Sequence, residues 1–167
     1  MLTDITLPDN IAGKLYRAPM PGRSDWPLKA ALADIKKADI DIVVSLVTLP
    51  EMRRFAPGYA RLLDEEDYSW DQWDWPVEDG YVPEDEEEFI DLARDIAYEL
   101  RDGQNVMIHC FAGVGRSGML SIAVLVALGT SPDRARQQVY EAGAGPENPR
   151  QERFIKRAAE RVAQEDE

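Results

Sequence analysis

Cysteine and histidine are nearly missing from this sequence, whose 167 residues hold one of each. A single cysteine excludes an internal disulfide, and the pair together cannot build a Cys/His zinc site. The thiol is free, which suits a reducing compartment. Long apolar runs are missing as well. The longest, from Met119 to Leu128 with Ser121 inside it, is too short to span a bilayer. The opening stretch MLTDITLPDNIAG has neither a charged leading region nor an apolar segment, so no signal peptide is expected. A soluble, cytoplasmic protein is the expectation.

Basic residues are in deficit, with 19 Lys and Arg against 32 Asp and Glu and a net charge of -13. That deficit is local. Fifteen acids and one base, Arg94, stand between Asp64 and Asp95, which leaves the rest of the chain close to neutral. Such a segment repels nucleic acid and anionic membranes, and neither is expected as a partner. It reads as a solvated loop and helix start, and it would favour substrates with basic flanks. The 44% hydrophobic content, with four Trp and six Tyr, argues against disorder. The length fits residues 1–167 as one domain.

Periodicity supplies the elements. GKLYRAPMPGR (13–23) reads as an edge strand interrupted by prolines. Ser24 or Asp25 is placed to cap a helix through WPLKAALADIKKA, with Leu28, Leu32 and Ile35 on one face. DIVVSLV (41–47) is β-branched and continuous, as in a strand covered on both faces. From Thr48 to Trp75 the chain reads as irregular, with a short helix around Tyr59 to Leu63, and PVEDGYVP (76–83) reads as a loop. Helices are expected over 84–101, from about Gly115 to Leu128, from Ser131-Pro132 through Tyr140, and from Asn148-Pro149 onward. NVMIHC (105–110) is a second buried strand. Alternating strands and helices give an α/β fold, with a central sheet flanked by helices.

The lone cysteine stands beside the lone histidine in HCFAGVGRSG, residues 109–118. Strand, glycine-bearing loop and helix N-terminus in succession converge backbone N–H groups on one point, where an oxyanion such as phosphate fits. Gly113 and Gly115 let the backbone curl, and Phe111, Ala112 and Val114 complete the lining. Arg116 offers a planar fork for two phosphate oxygens. Cys110 lies at the base of this cradle, where the amides and helix end favour a thiolate. A thiolate under a phosphoryl group points to covalent catalysis through phosphocysteine. Ser117 is placed to hydrogen-bond the departing thiolate, and His109 is expected to orient the loop from behind. A carboxylic acid on a mobile loop must protonate the leaving group and later deprotonate water. Composition alone does not choose it among the fifteen acids.

This loop resembles the signature HCxxGxGR[ST]G of the cysteine-dependent protein tyrosine and dual-specificity phosphatases. The compact members, similar to cyclin-dependent kinase inhibitor 3-type phosphatases, resemble the chain over roughly residues 14–154. DIVVSLVTLPEM resembles their first core strand, WPVEDGYVPE their acid loop, and GPENPRQERF their late Glu- and Gln-containing segment. The resemblance implies a mostly parallel sheet, Cys110 as nucleophile, Arg116 as phosphate clamp and Asp79 as general acid, then base. Glu78 is the competing acid. Val77 follows Trp75-Pro76, so the Trp-Pro-Asp loop of the larger tyrosine phosphatases does not apply directly. Glu147 and Gln151 match positions near the relatives' water site.

The implied activity is hydrolysis of phosphotyrosine, with phosphoserine and phosphothreonine as further substrates, and it calls for no metal and no cofactor. Inositol phosphates or phosphoinositides form the alternative substrate class, and a silent phosphate-binding module is the alternative to an enzyme. A loop without lysine, beside an acidic segment, disfavours such polyanions.

Overall fold

The protein is described by a computed structural model covering residues 1–165. Five strands form one sheet: β1 (Thr3–Ile5), β2 (Leu15–Ala18), β3 (Ile42–Ser45), β4 (Asp71–Asp74) and β5 (Val106–His109). They lie in the order β1-β2-β5-β3-β4, and only β1, paired to β2, runs antiparallel. The helices are α1 (Leu28–Lys37), α2 (Leu49–Phe55), α3 (Pro57–Asp64), α4 (Glu86–Arg101), α5 (Gly115–Ala127), α6 (Pro132–Glu141) and α7 (Pro149–Glu165).

The sheet is buried on both faces, as the runs IVVS and VMIH require. On one face Leu15, Ile42, Val44, Val106 and Ile108 pack against α4 to α7. On the other, Val43 and Met107 meet Ala31 and Ile35 of α1. α5 is buried along its whole length, which explains why its residues are apolar nearly all round. Among the described residues, no helix is long and apolar enough to cross a membrane.

Several expectations are corrected. The 13–23 segment is not an edge strand, because β1 covers β2 and leaves it between two neighbours. Ser24 and Asp25 do not cap α1. They sit in a turn closed by Gly22 N to Trp26 O and Trp26 N to Arg23 O, and the helix starts after Pro27 without a side-chain cap. The 48–75 stretch is not irregular: besides α3, which covers the expected short helix, it holds α2 and β4. The acidic start of α4 is only partly solvated. Glu86 pairs with Arg157 at 2.6 Å and with Arg161, and Arg161 also takes Glu87, so the acidic segment meets the basic face of α7.

Residues Ala18, His109, Ser45 and Asp74 lie side by side in register at the carboxyl ends of four parallel strands. The segments that leave this row, 19–23, 46–51, 75–79 and 110–116, therefore emerge together. In open α/β sheets that edge is where ligands bind.

Leu125, fully buried in the last turn of α5, tests this packing. Leu125→Ala is expected to lower unfolding free energy by about 3 kcal/mol in urea titration. A loss below about 1 kcal/mol contradicts the placement of α5 in the core.

Candidate active site

β5 ends at His109 and α5 starts at Gly115, leaving five residues to turn between them. The turn needs glycine at one place, and a second glycine lets two side chains approach closely. Gly113 has φ +77, and a Cβ there would fall 2.5 Å from the carbonyl carbon and oxygen of Ala18. A Cβ on Gly115 would fall 2.4 Å from Glu147 Oε1 and 3.0 Å from Gln151 Oε1.

Backbone carbonyls of this loop are satisfied from outside it. Cys110 O accepts from His109 Nδ1, Phe111 O from Met20 N and Arg23 Nη1, Gly113 O from Arg17 Nη1, and Val114 O from Gly118 N and Gly145 N. Among the described residues, the N–H groups of residues 111–116 donate to no protein acceptor. Carbonyls outward and amides free is the arrangement an oxyanion needs. Cys110, a free thiol 3% exposed, opens the loop directly after β5. Phe111 turns its ring aside, edge-on to Phe55 at 5.1 Å, while Ala112 is exposed and Val114 half-buried.

Arg116 is 2% exposed and makes a two-pronged pair with Glu51, Nη1 to Oε1 and Nη2 to Oε2, each at 2.8 Å. Nη1 also donates to Val77 O at 2.8 Å, and Nη2 lies 3.3 Å from Asp79 Oδ1. Burial works against the guanidinium's charge. Its hydrogen bonds to Glu51 and the charges of Cys110, Glu51 and Asp79 outweigh it and hold Arg116 above its ordinary value. Among the described residues its Nε has no partner, and neither has the buried hydroxyl of Ser117. Ser117 therefore makes no bond to Cys110 in this structure.

Asp79 is 70% exposed on the 76–83 loop. The loop is fastened to α7: Asn148 Nδ2 donates to Gly80 O at 2.9 Å, Gln151 Nε2 to Tyr81 O at 3.2 Å, and Arg150 lies over the Tyr81 ring. Glu78 is exposed and is not among the partners of Arg116. Gln151, 1% exposed, also accepts from Glu147 N at 2.8 Å, so its amide ties the acid loop to the segment against Gly115.

His109 is fully buried, and its Nδ1–H donates to the Cys110 carbonyl while Nε2 accepts from the Tyr59 hydroxyl at 2.9 Å. These partners assign the tautomer. Burial, with the Arg116 charge adding to it, lowers His109 from 6.5 to about 4, against the pull of the Cys110 carbonyl bond and Glu51. Burial likewise pushes the Tyr59 phenol up, so it stays a donor. His109 is expected from the sequence to orient the loop, and the structure sets it against the Cys110 carbonyl.

Sequence reasoning missed Glu51, Tyr59, Arg17, Arg23 and Asn148. Glu51 had a signal: Thr48-Leu49-Pro50-Glu51 has the spacing of a helix capping box, and Thr48 Oγ1 does accept from Glu51 N. Its carboxylate goes to Arg116 instead of back to the cap.

A buried thiol under free amides, backed by a clamped guanidinium at a parallel-sheet edge, is the architecture of the cysteine-dependent phosphatases. A family model described as protein-tyrosine phosphatase matches residues 34–141, and the chain belongs to that family. Among solved structures, kinase associated phosphatase (KAP), with its catalytic-site cysteine replaced by serine, superposes with a TM-score of 0.82 at 18% identity, over 98% of this chain and 96% of that one. Tk-PTP in its active form gives 0.71 at 25% identity, over 95% and 97%. PTPMT1 in complex with PI(5)P gives 0.71 at 16% identity, over 92% and 94%. No curated protein sequence matches the chain.

His109 makes one pH prediction. The unfolded chain takes up a proton as pH falls below 6.5, while the folded protein does so only near 4. Stability is thus full above this window and falls through it, by up to about 3 kcal/mol. Wild type is expected to lose urea resistance from pH 6.5 to 4 more steeply than His109→Gln, and equal slopes contradict a neutral buried histidine.

Proposed function

We propose that this protein is a cytoplasmic phosphatase, one catalytic unit over residues 1–167, that hydrolyses phosphotyrosine in proteins or peptides through a phosphocysteine on Cys110. The observation that carries the reading is the convergence on Arg116. Its Nε is unpaired among the described residues, its Nη2 lies 3.3 Å from Asp79 Oδ1, and it closes the loop that opens with Cys110 and carries the unpaired amides of 111–116. Phosphate oxygens take the amides and Nε. Cys110 Sγ attacks phosphorus as the ester P–O bond breaks, and Asp79 gives its proton to the departing oxygen. A water then loses a proton to Asp79, its oxygen attacks phosphorus, and the P–S bond breaks to restore the thiolate. In this reading the hydroxyl of Ser117, unpaired among the described residues, steadies that thiolate. Neither step needs a metal or a cofactor. Asp79 is preferred to Glu78 because only Asp79 lies against Arg116.

The substrate class rests on the loop's Phe-Ala-Gly-Val-Gly lining, which has no lysine for additional phosphates. A cleft of about 890 Å³ beside the acid loop, lined in part by Glu78, Glu84, Asp85 and Glu88, supports peptides with basic flanks. The likeness to PTPMT1 with its bound phosphoinositide is the observation behind a second reading, an inositol phospholipid substrate.

Phosphate release from a phosphotyrosine peptide, a phosphothreonine peptide and a phosphoinositide decides between them. Phosphotyrosine is expected to lead, with lysine-flanked peptides ahead of glutamate-flanked ones at low salt. Cys110→Ser is expected to abolish turnover, and Asp79→Asn to lower kcat by about 10²–10⁴-fold. Preference for the lipid replaces the substrate class. No turnover of any ester, with phosphate still bound, leaves a binding module and overturns the enzyme.

A further inference from the structure

Peptide carbonyls in a tight loop must find donors, and where they find them decides which way the amides face. In the 110–116 loop two of those donors are arginines from one short segment. β2 runs beside β5 with Arg17 opposite Ile108 and Ala18 opposite His109, so the chain beyond Ala18 follows the loop beyond His109. Arg23 Nη1 donates to Phe111 O at 2.7 Å, its guanidinium lies 4.5 Å from the Phe111 ring centroid, and Asp25 holds its Nε at 2.7 Å. Arg17 Nη1 donates to Gly113 O at 3.4 Å, and its Nε donates to Ala142 O at 2.6 Å. One guanidinium thus joins the loop to the turn between α6 and α7. Gly143, at φ +82, makes room for it, since a Cβ there would fall 2.7 Å from Arg17 Nη2. Arg17 is half-buried. Burial lowers its guanidinium from the ordinary value while the Cys110 charge works in the opposite direction, and an arginine stays charged in either case.

We propose that Arg17 and Arg23 are positioning residues that pull the Gly113 and Phe111 carbonyls outward and so aim the neighbouring amides at the bound phosphate. The inference rests on the reading of the loop as a phosphate cradle. Neither arginine touches the substrate; both act through the backbone. Arg17 needs its fork to reach two carbonyls on different segments, which a lysine ammonium on a single stem does less well.

Tungstate, a phosphate mimic, is the probe, with binding measured by calorimetry at constant ionic strength. Wild type is expected to bind it. Arg17→Gln and Arg23→Gln are each expected to weaken binding about tenfold, and Arg17→Lys to recover part of the loss. Arg153→Gln, an equal charge change on the exposed face of α7, is expected to bind as wild type does. Circular dichroism checks that each variant is folded, and Arg23, in a surface turn, carries the test alone if Arg17→Gln is not. Folded glutamine variants that bind tungstate as tightly as wild type overturn the brace and leave the phosphate cradle standing. An equal loss in Arg153→Gln also overturns it, by showing a general charge effect. Wild type that fails to bind tungstate overturns the cradle and the brace together.

Discussion

A guanidinium that is 2% exposed must be compensated, and Arg116 is compensated by two of the segments that emerge from the carboxyl edge of the sheet, 46–51 and 75–79. Glu51 from the start of α2 takes both Nη atoms, Val77 O and Asp79 come from the acid loop, and Leu46 O stands 3.5 Å from Nη1 at the end of β3. Removing one partner from a buried ion pair leaves an uncompensated charge, which costs several kcal/mol. The same pair that stabilises the arginine also fixes where its remaining donor points. Folding and site assembly are therefore one event at this residue.

Around that pair the site is held by hydrogen bonds that converge from outside. His109 and Tyr59 brace the Cys110 carbonyl from the α3 side, two arginines brace Phe111 and Gly113, and Gln151 with Asn148 fastens the acid loop to α7. Each supporting side chain is pinned by burial, by a second partner or by a packed ring, which keeps a catalytic constellation within narrow geometry. Acid loop and phosphate loop share α7 as a common anchor, since Gln151 touches both.

The phosphate loop was legible because its chemistry is local: cysteine, glycines and arginine within seven residues leave few other uses. Two strands of the central sheet were legible as runs of apolar, largely β-branched residues, and its mostly parallel order came from the resemblance. What was hidden is contributed across long sequence distances. Glu51 lies 65 residues from Arg116, and Tyr59 lies 50 from His109. β4, with the sequence Asp-Gln-Trp-Asp, has no strand pattern of its own and exists because β3 offers it a parallel edge. β1 is three residues long, too short for alternation to show. Asp79 could be chosen from fifteen acids only through family resemblance, and its place 3.3 Å from Arg116 now supports that choice on separate grounds.

The central claim is that Cys110 takes the phosphoryl group covalently. Its most direct measurement is intact and peptide mass spectrometry of Asp79→Ala, quenched during turnover of p-nitrophenyl phosphate, whose leaving group departs without a proton. Cys110 is then still phosphorylated, and without the aspartate to activate water the intermediate should accumulate. The account predicts one phosphoryl group added to the protein, located on the peptide that contains Cys110 and lost in Cys110→Ser. Turnover with no adduct on Cys110, or an adduct on another residue, would contradict it.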